Sequence, residues 1–199
     1  GRLLALAGQT EERVLAGFLD PAEAGWRVPG WRSAVLLHDP DGVGHEIRRE
    51  AIMWSWSEVD DECSRWVADE VAGLAEEVHK LVVALGRGKR LNAAVQRNML
   101  ALRLPAIVSV HRRMLYDTEN VLWEVVADEM GEAWTRAHAM ALGDADVPLH
   151  VSSAAAVELY ALASSEVRAL FDATQSAVVA YACELAGHPD ALHPPITRS

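Results

Sequence analysis

Cysteine is scarce in this sequence of 199 residues, with Cys63 and Cys183 as its only two. Each lies within a helical pattern, which argues against a disulfide framework and makes a reduced, cytoplasmic setting the default expectation. Cysteine and histidine also form no cluster with the spacing of a zinc site. The sequence therefore predicts a fold held by an apolar core rather than by cross-links or a structural metal.

Long apolar runs are also missing. No stretch reaches the roughly eighteen uninterrupted apolar residues of a membrane-spanning helix. The opening residues, GRLLALAGQ, are too short and too soon interrupted for a signal peptide. We therefore expect no membrane partner. The chain begins with Gly1 rather than Met, inside what reads as a structural element, and we interpret it as a tag remnant, a cleaved product or a domain cut from something longer.

Positive charge is in short supply. The chain has 18 Lys and Arg against 29 Asp and Glu, a net charge of −11 and a pI near 5.1. Binding to nucleic acid or to an anionic membrane needs clustered cations, so this balance argues against both. An excess of carboxylates suits a cationic ligand, or it simply keeps the protein dispersed, and both interpretations stay open.

Apolar residues make up 51% of the chain, enough for a sizeable core. After Glu46 the patterns are helical throughout, and short connections between long helices predict an antiparallel four-helix bundle in a mainly α protein. The helices are predicted over Cys63–Gly86, Leu91–Leu115, Asn120–Leu142 and Ser153–Ala186.

The first 45 residues predict a short α/β segment with one or two strands. Residues 3–7, LLALA, are a strand or a helical turn, and Thr10 caps a short helix that runs to Phe18. The glycines and proline of residues 25–30 predict a loop, and Ser33–His38 predicts a strand closed by a turn. We therefore divide the chain into a segment 1–45 and a helical bundle 46–199.

The helix Cys63–Gly86 carries an apolar stripe that needs a partner to cover it. A polar row runs beside the stripe, with Asp69, Gly73, Glu76 and Lys80 at helical spacing. Glu76 and Lys80 are either an ordinary surface ion pair four residues apart or part of a site. The residues of the stripe are Val67, Val71, Leu74, Val78, Leu81 and Leu85.

The helix Leu91–Leu115 is apolar on nearly every side, which predicts that it lies at the centre of the bundle, with a kink at Pro105. The apolar residues behind this prediction are Met99, Leu100, Leu102, Leu104, Ile107 and Val108.

Several of these residues resemble a known family. Glu76 and Lys80 are followed, at a matching interval, by the basic run 111–113 (His-Arg-Arg), Tyr116 and Thr118. This pattern resembles the C-terminal helical domain of kanamycin nucleotidyltransferase-like enzymes, which move a nucleoside monophosphate from ATP onto an aminoglycoside hydroxyl. The segment from Glu11 to Gly42 is similar, more loosely, to the region after the last catalytic strand of that family.

The resemblance implies a role for each matching residue. Glu76 would be the general base that takes the proton of the acceptor hydroxyl. Lys80 would neutralise the phosphates of the nucleotide, and Thr118 would contact that nucleotide. Asp69 and Glu77 are candidates for binding the cationic acceptor. The resemblance also implies ATP and magnesium as cofactors, and a homodimer, since those enzymes build each active site from two subunits.

The metal-binding segment of that family is missing from this sequence. The family holds magnesium with acids of an N-terminal α/β domain, introduced by Gly-Ser and closed by an Asp-x-Asp pair, and this sequence has no such segment. Asp39 and Asp41 have the right spacing but form a turn after a strand. The position of a third acid falls among residues 4–6, Leu-Ala-Leu. We therefore expect no two-metal site, and no activity without a separate catalytic domain.

Two alternatives belong to other classes. In the first alternative, the chain is a non-enzymatic binder of a cationic small molecule. In the second, it is the helical partner of a minimal nucleotidyltransferase in a two-gene, toxin–antitoxin-like system. Some helical toxins of that kind cut RNA with an Arg followed closely by a His. Arg103 and His111 are too far apart for that pattern, and the acidic balance does not favour RNA binding.

Overall fold

A computed structural model of the chain describes residues 8–144 and 146–187. Those residues form α-helices joined by short loops and 3₁₀ turns and contain no strand, so the prediction of a mainly α protein is confirmed. The helices are α1 (Glu11–Phe18), α2 (Pro21–Arg32), α3 (Val43–Met53), α4 (Asp60–Gly73), α5 (Ala75–Gly86), α6 (Arg90–His111), α7 (Leu122–Met130), α8 (Glu132–Leu142), α9 (Leu149–Val167) and α10 (Ala173–Leu185).

Side-chain caps explain where several helices begin. Thr10 accepts a hydrogen bond from the backbone N–H of Arg13 and starts α1, as the sequence predicted. Asp20 accepts from the backbone N–H of Ala22, and Pro21 follows at the first helical position of α2. Asp172 and Gln175 form a reciprocal capping box at the start of α10.

The predicted loop at residues 25–30 and the predicted strand at Ser33–His38 are both wrong. Residues 25–30 lie inside α2, where the cap at Asp20 starts a helix that continues through Pro29. Residues 33–38 form an irregular connection, with Val35 and Leu37 exposed to 81% and 94%. A strand there would have no neighbouring strand among the described residues to receive its hydrogen bonds. The possible strand at residues 3–7 lies outside the described residues.

Three of the four long predicted helices are divided. The first is two helices, α4 and α5, which meet at Leu74. The third becomes α7 and α8, separated by Gly131 with φ of 80°. The last becomes α9, which starts at Leu149, and α10, separated by a 3₁₀ turn at Arg168–Leu170. The apolar pattern of the sequence continues across each of these breaks, so it did not predict where one helix ends and the next begins.

The apolar stripe of the first predicted helix is confirmed as core. Its first five residues, from Val67 to Leu81, are at most 1% exposed, and Leu85 packs partly buried against them. On α6 the prediction holds for Leu100, Leu104, Ile107 and Val108, which are also at most 1% exposed. Met99 and Leu102 contradict it, since they are exposed to 37% and 50%. One face of α6 therefore lies in solvent.

The helices of the N-terminal region share the core of the remaining helices. Val14 of α1 and Val28 of α2 belong to the same buried cluster as Leu104 of α6. Arg32 at the end of α2 donates to the backbone carbonyl oxygens of Ala51 and Trp54, which fixes α2 against the end of α3. The proposed division between segments 1–45 and 46–199 stays a prediction. No helix in the described part of the chain is long and apolar enough to cross a membrane.

Candidate functional site

A cavity of about 520 Å³ lies between α2 and the loop that follows α6. Its volume falls within the range of small-molecule sites. Its wall combines two indole rings, one buried guanidinium and two carboxylates. The lining residues are Gln9, Trp26, Arg27, Gly30, Trp31, Ala34, Asp117, Thr118, Glu119 and Asn120.

The turn after α6 brings residues 117–120 to α2. Arg113 takes a left-handed conformation, with φ of 53°, and its Nε donates to Oδ1 of Asp60 at 2.9 Å. The backbone N–H of Tyr116 then donates to the carbonyl oxygen of Gly25 at 2.9 Å. A Cβ on Gly25 would lie 3.0 Å from the Tyr116 ring, so glycine permits this close approach. The cavity thus depends on a contact between two distant segments.

Arg27 forms the buried floor of the cavity. It is only 6% exposed, and its guanidinium donates to Gln9 at 2.8 Å and pairs with Glu23 at 2.7 Å. The guanidinium also lies 4.8 Å from the centre of the Trp26 ring. A Cβ on Gly17 would overlap the Arg27 side chain, so the missing side chain at Gly17 makes room for it. The charge of Arg27 is therefore compensated inside the protein.

The rim of the cavity is acidic. Asp117 and Glu119 are exposed, and neither forms an ion pair with a cation in the described ranges. The partly buried rings of Trp26 and Trp31 stand beside them. Indole faces bind planar or cationic groups, and free carboxylates attract cations. The cavity is therefore suited to a cationic small molecule or an aromatic base.

Of the candidate residues that the sequence suggests, Thr118 is the one that lines this cavity. The sequence interpretation misses Trp26 and Trp31, because it predicts a loop over residues 25–30. A helix over Pro21–Arg32 places residues 26, 27, 30 and 31 within one arc of about 140°. A helical interpretation of α2 would have found the aromatic wall.

Glu76, Glu77 and Lys80 meet on the surface of α5, outside this cavity. The Lys80 Nζ lies 3.0 Å from a carboxylate oxygen of Glu76 and 3.0 Å from one of Glu77. The Glu76 side chain is 71% exposed, whereas that of Glu77 is 17% exposed. Hydrogen bonds from Lys80 to Glu76, and then to Glu77, raise the pKa of Lys80. The ammonium group is thus shared by two carboxylates.

Asp69 is engaged by another helix. Its Oδ1 accepts a hydrogen bond of 2.8 Å from Nε2 of Gln175, the residue that also caps α10. The bond links α4 to the beginning of α10. The Asp69 carboxylate therefore has a structural partner within the protein.

Asp39 also has local partners rather than a free coordination position. Its carboxylate accepts from the backbone N–H groups of Gly44 and His45, both at 3.0 Å, and contacts the His45 ring at 2.6 Å. The Gly44 hydrogen bond is the main reason that the pKa of Asp39 is lowered. The described residues contain no group of three or more His, Cys, Asp or Glu side chains arranged to hold a metal.

Arg103 and His111 occupy separate ion-pair environments along α6. Arg103 pairs with Glu70, and Nε2 of His111 lies 3.7 Å from Glu166. Burial lowers the pKa of His111, and Glu166 partly opposes that effect. The two side chains therefore lie beside different acids, Arg103 beside Glu70 of α4 and His111 beside Glu166 of α9.

Compared with known protein families, curated proteins and solved structures, the chain has no match. A function for the site is therefore inferred from the geometry of the site and from the residues that resemble the nucleotidyltransferase family.

Proposed function

We propose that this chain is the acceptor- and nucleotide-binding helical domain of a nucleotidyltransferase that acts on an aminoglycoside-like hydroxyl. The observation that carries the proposal is the position of Thr118, which lies on a cavity of about 520 Å³ together with Trp26 and Trp31. The antiparallel four-helix bundle that the short connections between long helices predict belongs to the same proposal. A separate metal-binding domain would supply magnesium.

The chemistry of the cavity supports both ligands. An adenine ring can stack on an indole face, and Thr118 offers a hydroxyl to the nucleotide. The ammonium groups of an aminoglycoside would be attracted by Asp117 and Glu119, which have no cationic partner within the described residues. Arg27 is already paired with Glu23, so it adds little repulsion.

Glu76 and Lys80 do not line this cavity, so in this proposal they act on a ligand held by another subunit or domain. The resemblance implies such an arrangement, since active sites of that family are built from two subunits. Glu76 would accept the hydroxyl proton and Lys80 would neutralise phosphate charge. A homodimer and ATP with magnesium therefore remain part of the proposal.

A non-enzymatic binder of a cationic small molecule is the second candidate. The exposure of Glu76 and its pairing with Lys80 favour it, because that geometry is common for an ordinary surface ion pair. The third candidate, a helical partner of a minimal nucleotidyltransferase, gains no support from Arg103 and His111, which lie beside different acids.

Calorimetric titration tests the proposal, with kanamycin and with ATP–magnesium as the two probes. We expect both to bind, and we expect the double substitution Asp117→Asn and Glu119→Gln to weaken kanamycin binding at least about tenfold through lost charge attraction. The control is Glu132→Gln, an exposed acid at the start of α8, which should change nothing.

The two leading candidates give different results. A nucleotidyltransferase domain binds kanamycin and ATP, whereas a non-enzymatic binder takes up kanamycin alone. If neither probe binds in a saturable manner, both candidates are rejected. If kanamycin binds equally to the double variant, the cavity is not the acceptor site.

A further inference from the structure

A depression of about 410 Å³ lies between the beginning of α6 and the beginning of α9. Arg90, Ala94 and Arg97 form its wall on α6, and helical geometry places them within an arc of about 60°. Ala101 continues the same face of α6 and is fully buried, where α6 and α9 pack against each other. The depression therefore occupies the open end of the groove between these two helices. Its other lining residues are Leu91, Val147 and Leu149.

Arg97 is held in place by neutral partners. Its Nη1 donates to Oγ of Ser152 at 3.0 Å, and its Nε and Nη2 donate to Oδ1 of Asn98 at 3.2 Å and 2.9 Å. Ser152 is buried in the first turn of α9, so its bond to Arg97 joins the two walls of the depression. These bonds orient the guanidinium group but leave its charge without a carboxylate partner among the described residues.

Arg90 contributes a second cation to the depression. Its side chain forms no hydrogen bond or ion pair within the described part of the chain. Asp144 and Asp146 are the acids nearest in sequence to the opposite wall, and neither forms an ion pair with Arg90 or Arg97. The depression thus presents two positive charges that no acid in the described ranges neutralises.

The segment that supplies these arginines differs in charge from the rest of the chain. Residues 78–116 contain eight Lys and Arg and no Asp or Glu, although the whole chain has a net charge of −11. Arg87 and Lys89, in the turn between α5 and α6, are exposed and form no ion pair among the residues that the structure describes. They add to the positive potential at this end of α6, which attracts anions.

The lining of the depression matches a phosphate group on an apolar molecule. Guanidinium groups bind phosphate oxygens through paired hydrogen bonds, and a phosphate monoester carries close to two negative charges at neutral pH. Two guanidinium groups balance that charge, whereas a carboxylate balances only one of them. Ala94 lies between the two arginines and carries only a methyl group, which leaves space for the phosphate. Leu91, Val147 and Leu149 offer apolar contacts to the organic part of the ligand.

We propose that this depression binds a phosphate monoester of a small organic molecule. Arg90 and Arg97 bind the phosphate, and the apolar residues of the lining contact the organic part. The volume of about 410 Å³ falls within the range of small-molecule sites. The depression shares no lining residue with the cavity at Thr118, so the inference does not depend on the proposed nucleotidyltransferase function.

Two other anions fit the depression less well. A strand of RNA extends beyond the basic segment, over the surface of a protein whose net charge of −11 repels it. Inorganic phosphate makes no apolar contact, so it leaves the leucine and valine side chains of the lining in water. A monoester of a small molecule satisfies both the charged and the apolar part of the lining.

An NMR chemical-shift titration tests the proposal with four probes. Phenyl phosphate, benzoate and benzyl alcohol share an aromatic ring and differ in charge, and inorganic phosphate lacks the ring. We expect phenyl phosphate to bind in a saturable manner, and benzoate and benzyl alcohol to bind at least about tenfold more weakly, because two guanidinium groups favour a dianion. Inorganic phosphate should also bind at least about tenfold more weakly, because it buries no apolar surface.

Substitutions then locate the site. Arg90→Gln removes one charge from a side chain without contacts and should weaken phenyl phosphate at least about tenfold. Arg48→Gln on α3 is the matched control and should change nothing, since Arg48 is also exposed and has no ion pair in the described ranges. Ala94→Leu fills the space between the arginines without a change of charge and should abolish binding. Circular dichroism verifies that the three variants keep the helical content of the parent.

The remaining outcomes each decide against the proposal. No saturable binding of phenyl phosphate, or equal affinity for phenyl phosphate and benzyl alcohol, would overturn it. An Arg90→Gln variant that binds phenyl phosphate as the parent does would place the ligand elsewhere. Equal affinity for inorganic phosphate and phenyl phosphate would indicate an adventitious ion only. Displacement of phenyl phosphate by a lower concentration of short single-stranded RNA would assign the basic segment to nucleic acid.

Discussion

The hydroxyl of Tyr160 donates a hydrogen bond of 3.1 Å to the backbone carbonyl oxygen of Val71. Val71 lies in the last turn of α4, where helical carbonyl groups lack partners in their own helix. Tyr160 comes from the middle of α9 and has no exposed surface. Burial raises the pKa of Tyr160, so the hydroxyl stays protonated and remains a donor. The bond stabilises the junction between α4 and α5 from a third helix.

Tyr160→Phe should lower the free energy of unfolding by about 1–2 kcal/mol, because a buried carbonyl loses its hydrogen-bond donor. Urea denaturation measures the change. Tyr181→Phe is the matched control, since Tyr181 is exposed to 60% and loses no contact of this kind. Equal stability of Tyr160→Phe and the parent would show that water replaces the hydroxyl.

Leu104→Ala should cost about 2–5 kcal/mol of stability, because the side chain is fully buried and its removal leaves a cavity in the core. Leu102→Ala, two residues away on the exposed side of α6, should cost far less. Chemical denaturation of the pair gives the comparison. A loss below about half a kcal/mol at Leu104 would contradict its place in the core.

Stability should fall as the pH decreases through 6.5, the ordinary pKa of histidine. His138 is buried, and Nε2 donates to the carbonyl oxygen of Ala101 at 3.0 Å. Burial lowers the pKa of His138 in the folded state. The unfolded chain therefore binds more protons below pH 6.5, and acid favours unfolding.

The measurement is the free energy of unfolding between about pH 7.5 and about pH 5.5, a window in which histidine titrates. His138→Gln keeps a hydrogen-bond donor but does not titrate, so its pH dependence should be weaker. Some dependence should remain, since burial also lowers the pKa of His111. A His138→Gln curve identical to the parent would refute the assignment.

The substitution Glu76→Gln distinguishes a catalytic role of Glu76 from a surface ion pair with Lys80. In a form completed by a metal-binding domain, the general-base role predicts transfer about 10²–10⁴-fold slower, because the amide cannot accept the proton. Lys80→Ala should instead weaken the use of nucleotide. Unchanged rates in both variants would leave Glu76 and Lys80 as the exposed pair seen on α5. For the chain alone we expect no adenylylated kanamycin in a mass spectrum.

A homodimer is expected from the resemblance. Light scattering at tens of micromolar should give about twice the chain mass of 21.7 kDa. A mass near 21.7 kDa for the parent would contradict the dimer.

The apolar period of the sequence was sufficient to predict the core of the central helices. Val67, Val71, Leu74, Val78 and Leu81 are buried as predicted, since one face of a helix must be covered whatever lies opposite. The same period did not predict the interruption at Gly131, because a glycine within a helical pattern is tolerated as well as being a stop. A glycine in a helical pattern therefore does not show whether the helix continues through it or ends there.

The cavity could be predicted only in part. The resemblance points to Thr118, but its neighbours on α2 come from a segment rich in glycine and proline that reads as a loop. That segment is helical because Asp20 caps it and because Gly17 and Gly25 let Arg27 and Tyr116 pack closely. Those contacts join distant parts of the chain, which a local pattern does not contain.

The two cysteines, both free and buried, give the protein a pair of internal reporters. Burial raises the pKa of the Cys183 thiol to about 11 and also raises that of Cys63. Alkylating reagents attack the thiolate, so neither residue reacts until its helix moves away from the core. Cys63 in α4 and Cys183 in α10 thus record the opening of two different parts of the fold as two separate rates of labelling.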